Sequence, residues 1–401
     1  MGRVMAKHSK KTTKKALSLV ISALGALGVA MQNTIAVVLF LRNALGSVTS
    51  ITTLLSNVIH GIGIGLGGLS SGMVNFFMNV ELLDGFIHRM SADQTQLNLR
   101  GWRKFRYYTG TFVFVVTGIL FGTTAFTFGM ASPFAAVAVA AGVLVAIIMT
   151  IQEVETWLAS FDPVVATDDG ITDEGIEDKT SLAHLYNHWK KTLTFSKAVG
   201  HFIAAGNVIA LSLLFTLGLA DVLISLQVAA FTAFVIASVV SFTFGAFTEF
   251  YFYNFFLADC CKNFNQEWKK LTESPHATLA ILFTSLNAFV NGALTYSGVA
   301  LLGGLLMTAG IAAPPVGVII ALAAISAIFA GSASFLLGMK FMIPKTTPVI
   351  AKSSEDAISR TPTRLSASND EPVMTRGLTF FPVKTDEVAE AVLTHALSVQ
   401  G

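Results

Sequence analysis

Polar residues punctuate this chain at long intervals, and the apolar runs between them set the elements. Ala16–Leu41 carries no charge, and neither does the stretch from Asn43 to Val80. Tyr107–Gln152 is charge-free and is divided near Pro133; Ala198–Ala220 and Val222–Thr248 flank a single aspartate; Ser274–Met339 is 66 residues without a charge, broken at Pro314 and Pro315. A helix crossing hydrocarbon needs about 20 apolar residues at about 1.5 Å rise each. The runs therefore predict eight transmembrane helices, with turns near Gly46, Pro133, Ala220 and Pro314. The run 43–80 would reach roughly 57 Å as one helix, so the second span is expected to tilt, break at its glycines or project from the bilayer.

Composition agrees with the pattern. Of 401 residues 53% are hydrophobic and only 12% charged, with a mean hydropathy of +0.67. Soluble domains carry about a quarter charged residues, so the partner of this surface is a lipid bilayer. The reading is an all-α, polytopic membrane bundle. Its expected segments are a basic N-terminus (1–15), a first four-helix unit (16–158), an acidic connection (159–191), a second unit (192–343) and a polar tail (344–401).

Basic residues cluster at the N-terminus (Arg3, Lys7, Lys10, Lys11, Lys14, Lys15), in the second connection (Arg89, Arg100, Arg103, Lys104, Arg106) and in the sixth (Lys262, Lys269, Lys270). By the positive-inside rule both termini face the cytoplasm. These clusters read as topology anchors, and no nucleic-acid partner is expected. The only cysteines, Cys260 and Cys261, are adjacent and cannot form an ordinary strain-free disulfide.

Four landmarks recur in order. Asn33 and Asn207 open similar first spans; "NVELLD" (79–84) parallels "NFFLAD" (254–259); Trp102 and Trp268 follow; a proline break separates the last two spans of each half. Two four-helix units in the same orientation are expected, a parallel repeat of the kind some transporters use.

Candidate functional residues are the polar ones at membrane depth. Glu249, Asn33, Asn207, His60 and His201 are candidates for a transport path; Asn287 is a further neutral polar residue in the same category. Glu81, Asp84 and His88 stand at i, i+3 and i+7 on one helical face and, with Asp259, would line an inner mouth. In the acidic connection His184 and His188 stand at i, i+4, a spacing that holds a metal between turns. Glu153 and Glu155 precede them at the end of the fourth span. The glycines of "GIGIGLGGLSSG" (61–72) offer close helix packing at Gly61/Gly65 and Gly68/Gly72.

No nucleophile with a placed base and no cofactor fingerprint is present, so no enzyme is expected. Two functions remain. One is a transporter of a small cation, with a divalent metal as a possible substrate, between the two halves. The other is a non-catalytic membrane scaffold or delivered effector that binds partners through its loops and tail. In the tail, 385–399 places Val388, Ala391, Val392, Ala396 and Val399 on one helical stripe, a surface for a protein partner.

Overall fold

A computed structural model describes residues 2–46, 52–91, 101–130, 134–159, 194–248, 254–274 and 277–342. Contacts divide the chain into residues 1–343 and 344–401, and all the described residues lie in the first unit. The stripe at 385–399 lies outside them.

The described residues form helices and no strands. In chain order they are α1 (Gly2–Gly46), α2 (Thr53–Ile62), a π-helical segment (Gly63–Ser70), α3 (Ser71–Ser91), α4 (Gly101–Met130), α5 (Ala135–Ala159), α6 (Phe195–Ser225), α7 (Ala230–Thr248), α8 (Asn254–Lys262), α9 (Phe264–Thr272), α10 (Ala277–Thr308) and α11 (Val316–Met342). Eight helical stretches among them are long and apolar enough to cross a membrane, as a multi-pass membrane protein requires. The exterior matches: Phe112, Phe202, Val239 and Ile328 are more than 60% exposed on these helices. Serines, threonines and amides such as Ser22, Asn79, Thr124, Ser212 and Ser297 are buried instead. That inversion is what a lipid solvent selects.

The fifth span differs from the expectation. The chain does not turn at Ala220; α6 continues through Asp221 to Ser225 and turns at Leu226–Ala229. Asp221 stays in the helix because its Oδ2 accepts a hydrogen bond from Thr127 Oγ1 of α4 at 2.9 Å. The helix then closes in a Schellman turn, Val228 N–H to Leu223 O and Gln227 N–H to Ile224 O, with Gln227 at φ +66°. The seventh span ends the same way, Ile311 N–H to Leu306 O and Gly310 N–H to Met307 O, and there a glycine takes the left-handed position at φ +67°.

The second span neither breaks nor stops. Residues 53–91 run as one helical path whose middle, Gly63–Ser70, is wound as π-helix. The reason lies on α1. A Cβ on Gly67 would fall 2.4 Å from the Asn33 carbonyl oxygen, and one on Gly63 would fall 2.5 Å from Val38 Cγ2. Gly61 and Gly65 meet nothing within 4 Å. The close packing thus uses Gly63, Gly67, Gly68 and Gly72, while Gly61 and Gly65 of the expected spacing point elsewhere.

Four helices form the inner ring: α1 packs on α4 and α10, and α6 packs on the same two. At its centre Ala36, Phe128, Leu214 and Leu294, one from each helix, make a single buried cluster. The remaining spans lie outside this ring. The π segment with α3 packs on α1, and α5 on α4 and α1; correspondingly α7 and α8 pack on α6, and α11 on α10 and α6. In each hairpin of spans the first helix is the more buried of the two.

Candidate functional site

The polar groups inside the bundle sort into three places. The first is the crossing of α1 and the second span, where Asn33 Nδ2 donates to Ser71 Oγ at 2.5 Å. Both side chains are buried, at 4% and 0% exposure. Such interhelical bonds in membranes contribute about 0.6 kcal/mol each.

The second is the seam between the two halves. Thr124 Oγ1 on α4 donates to the Leu214 carbonyl of α6 at 3.3 Å, and Ser297 Oγ on α10 donates to the Ala36 carbonyl of α1 at 3.0 Å. Thr117 and Thr248 share a hydroxyl bond of 2.8 Å between α4 and α7. Helix backbones touch here: a Cβ on Gly218 would lie 2.5 Å from the Thr124 nitrogen. Phe121 stands edge-on to Phe215 with centroids 4.9 Å apart, and Phe40 does the same to Phe289 and Tyr296.

The third place lies where α3 and α5 end. Glu155 is fully buried and takes a two-pronged ion pair from Arg89, Nε to Oε2 at 3.0 Å and Nη2 to Oε1 at 3.1 Å. One layer deeper, Gln152 Nε2 donates to Asn79 Oδ1, and Asn79 Nδ2 reaches the Ser22 carbonyl at 3.5 Å. Beside them Trp157 Nε1 donates to the Tyr107 carbonyl at 3.3 Å, and the Arg106 guanidinium sits 5.9 Å from the Trp157 ring centroid.

The candidates named from sequence fall as follows. Asn33 is in the first cluster; Asn207 is buried on α6 and His201, on the same helix, is half-buried. His60 is exposed, its Nδ1 bonded to the Ser56 carbonyl at 2.6 Å. Asn287 Oδ1 accepts from Asn291 one turn on, at 3.3 Å. Asp84 and Asp259 are exposed; Glu81 and His88 lie on the α3 backbone path, their side chains outside the described set. Glu249, His184 and His188 lie outside the described residues. Glu153 is buried, and Glu155 is engaged by Arg89. Among the described residues no three His, Cys, Asp or Glu side chains gather as a metal site would need.

Sequence reading took Arg89 only as a topology anchor of the second connection and did not single out Gln152, Ser22, Thr124 or Ser297. Gln152 and Glu155 stand at i, i+3 at the end of an apolar run, which marks a shared polar face. Nothing in the local sequence pairs that face with Arg89, 66 residues earlier.

Outside these clusters, an open cleft of about 430 Å³ at the other ends of α1 and α2 is lined by Arg42, Thr52, Thr53, Ser56 and Asn57. Arg42 Nη2 donates to Ser56 Oγ at 3.2 Å, and Thr52 Oγ1 caps α2 by accepting from Leu55 N–H at 3.3 Å. Cys260 and Cys261, in α8, form no disulfide, and burial pushes the Cys261 thiol above its ordinary 9.0. Compared with protein-family models, curated proteins and solved structures, the chain matches none.

Proposed function

We propose that this chain is a non-catalytic scaffold of a membrane, made from a duplicated four-helix unit. Its termini and long connections face the cytoplasm, where loops and tail meet a protein partner. The observation that carries this reading is the seam. Ala36, Phe128, Leu214 and Leu294 fill the centre between the halves with apolar contact, and the seam's hydroxyls are bonded to backbone carbonyls.

Duplication is supported by reciprocal packing. α4 of the first half rests on α6 and α7, while α10 of the second rests on α1 and the second span. A pseudo-two-fold axis between the halves would produce that exchange. Residues follow it at offsets of 173 and 174. Gly118 and Gly292, and Gly129 and Gly303, are 174 apart and each faces the fourth span of its own half. Thr124 and Ser297, the two seam donors, are 173 apart.

Cation transport is the second reading, favoured by this two-fold arrangement and by the matched buried asparagines Asn33 and Asn207. It assigns a path to Glu249, Asn33, Asn207, His60 and His201, and an inner mouth to Glu81, Asp84, His88 and Asp259. In that reading Glu153, Glu155, His184 and His188 recruit the metal substrate.

Uptake into proteoliposomes separates the two. The scaffold reading expects no flux above protein-free vesicles for a panel of divalent and monovalent cations. Flux that Glu249→Gln abolishes would replace it with transport.

A further inference from the structure

We propose that the junction of α1, α3 and α5 is a hydrated vestibule, taking up water and small polar solutes from the side on which the N-terminus lies. Five polar side chains are buried there in a helical bundle meant for lipid: Ser18, Ser22, Asn79, Gln152 and Glu155, none more than 6% exposed. The hydroxyls of Ser18 and Ser22 have no protein partner, though both are buried. They are one turn apart on α1, so they share a face. Contact of Gly25 with Ile148 and of Gly28 with Leu144 fixes the antiparallel register of α1 on α5. By that register Ser22 lies level with Gln152 and Ser18 level with Glu155.

Buried polar groups unmatched by protein are ordinarily matched by water, and ionisable residues inside membrane bundles face one another or a watered cavity. This junction does both. An ion pair closes its mouth side, amides lie one layer in, and two unsatisfied hydroxyls stand beside them.

The second half is the internal control, on the reading that the halves are duplicates. There Phe329 stands at the position matching Glu155 (offset 174) and Phe264 at the position matching Arg89 (offset 175). Phe329 packs edge-on to Phe202 at 5.2 Å, and Phe264 stacks on Trp268 at 6.1 Å. Gln152 is matched by Ser326, which is 2% exposed. At these two matched positions the second half therefore carries aromatic rings in place of the buried ion pair.

The test uses the full chain in proteoliposomes, with Cys260 and Cys261 replaced by serine. Single cysteines are placed by Ser22→Cys, Ser18→Cys and Ser326→Cys, and each is treated with a membrane-impermeant cationic methanethiosulfonate on both sides. All three positions are equally buried, so dry packing gives equally slow rates. The vestibule predicts that Ser22→Cys and Ser18→Cys react at least ten-fold faster than Ser326→Cys, and that Arg89→Gln, which opens the ion pair and leaves a carboxylate at the mouth, accelerates Ser22→Cys further. Equal rates overturn the proposal, and if Ser22→Cys does not fold, Ser18→Cys carries the same comparison. Failure of the duplication itself would appear separately, in cross-links across the two seams.

Discussion

Glu155 shows what one residue decides in this bundle. Its carboxylate is fully buried and held by a two-pronged ion pair from Arg89. Removing one partner leaves an uncompensated buried charge, which costs about 3–5 kcal/mol. Arg89→Gln and Glu155→Leu, each alone, are therefore expected to lower the unfolding midpoint in detergent. The double variant should recover much of the loss, because no charge is left stranded; equal, additive losses would disprove the pairing. Cys261 makes a pH prediction. Its thiol titrates above 9.0 in the folded chain because burial disfavours the thiolate. The unfolded chain therefore releases that proton first, so the contribution to stability is full below about pH 9 and is lost as pH rises beyond it. Comparing wild type with Cys261→Ser across pH 8 to about 11 measures this: the difference between them should shrink or reverse at the alkaline end. The sequence marked Glu155 as polar at a span's end, and it marked Asn33 as an interior amide. Their partners Arg89 and Ser71 were not legible, since they lie 66 and 38 positions away along the chain.

Elements were the more legible level. Charge-free length alone located eight spans, because hydrocarbon admits backbone only as helix with its bonds closed internally. Two boundaries moved for tertiary reasons. Asp221 reads as a break but is absorbed by the Thr127 hydroxyl. The 43–80 run reads as too long for one helix; its first residues close α1, and from Thr53 the second span continues through a π segment set against α1. The glycines of that segment separate cleanly by contact. Gly67→Ala places a methyl 2.4 Å from the Asn33 carbonyl oxygen, backbone against backbone, so α1 and the second span must part. A loss of about 1–3 kcal/mol is expected. Gly61→Ala meets nothing within 4 Å and should be neutral or stabilising by up to about 1 kcal/mol through helix propensity. Denaturation of the two variants in parallel checks the pair; equal effects would mean that neither glycine is a contact.

The whole molecule depends on the ring of α1, α4, α6 and α10, and on the two seams that close it. If the halves are pseudo-two-fold copies, the seams are equivalent. Cysteine pairs Thr124→Cys with Leu214→Cys and Ala36→Cys with Ser297→Cys should then be joined by a short bifunctional thiol reagent to similar extents. The readout is whether the halves stay together after cleavage at a protease site engineered into 160–193. Cross-linking at one seam only would contradict the two-fold arrangement. The sequence by itself determined the solvent, the helical class and the number of spans, since these follow from apolar length and from the rule that backbone in lipid must bond itself. It also offered the spacing of landmarks on which the proposed repeat rests. Which helices form the ring, which glycines meet a neighbour, and that Arg89 pairs with Glu155 were decided only by tertiary structure. Lipid-facing and helix-facing apolar residues are chemically alike, so hydrophobicity that sorts residues in water does not sort them here, and only the close approach of backbones and hydroxyls does.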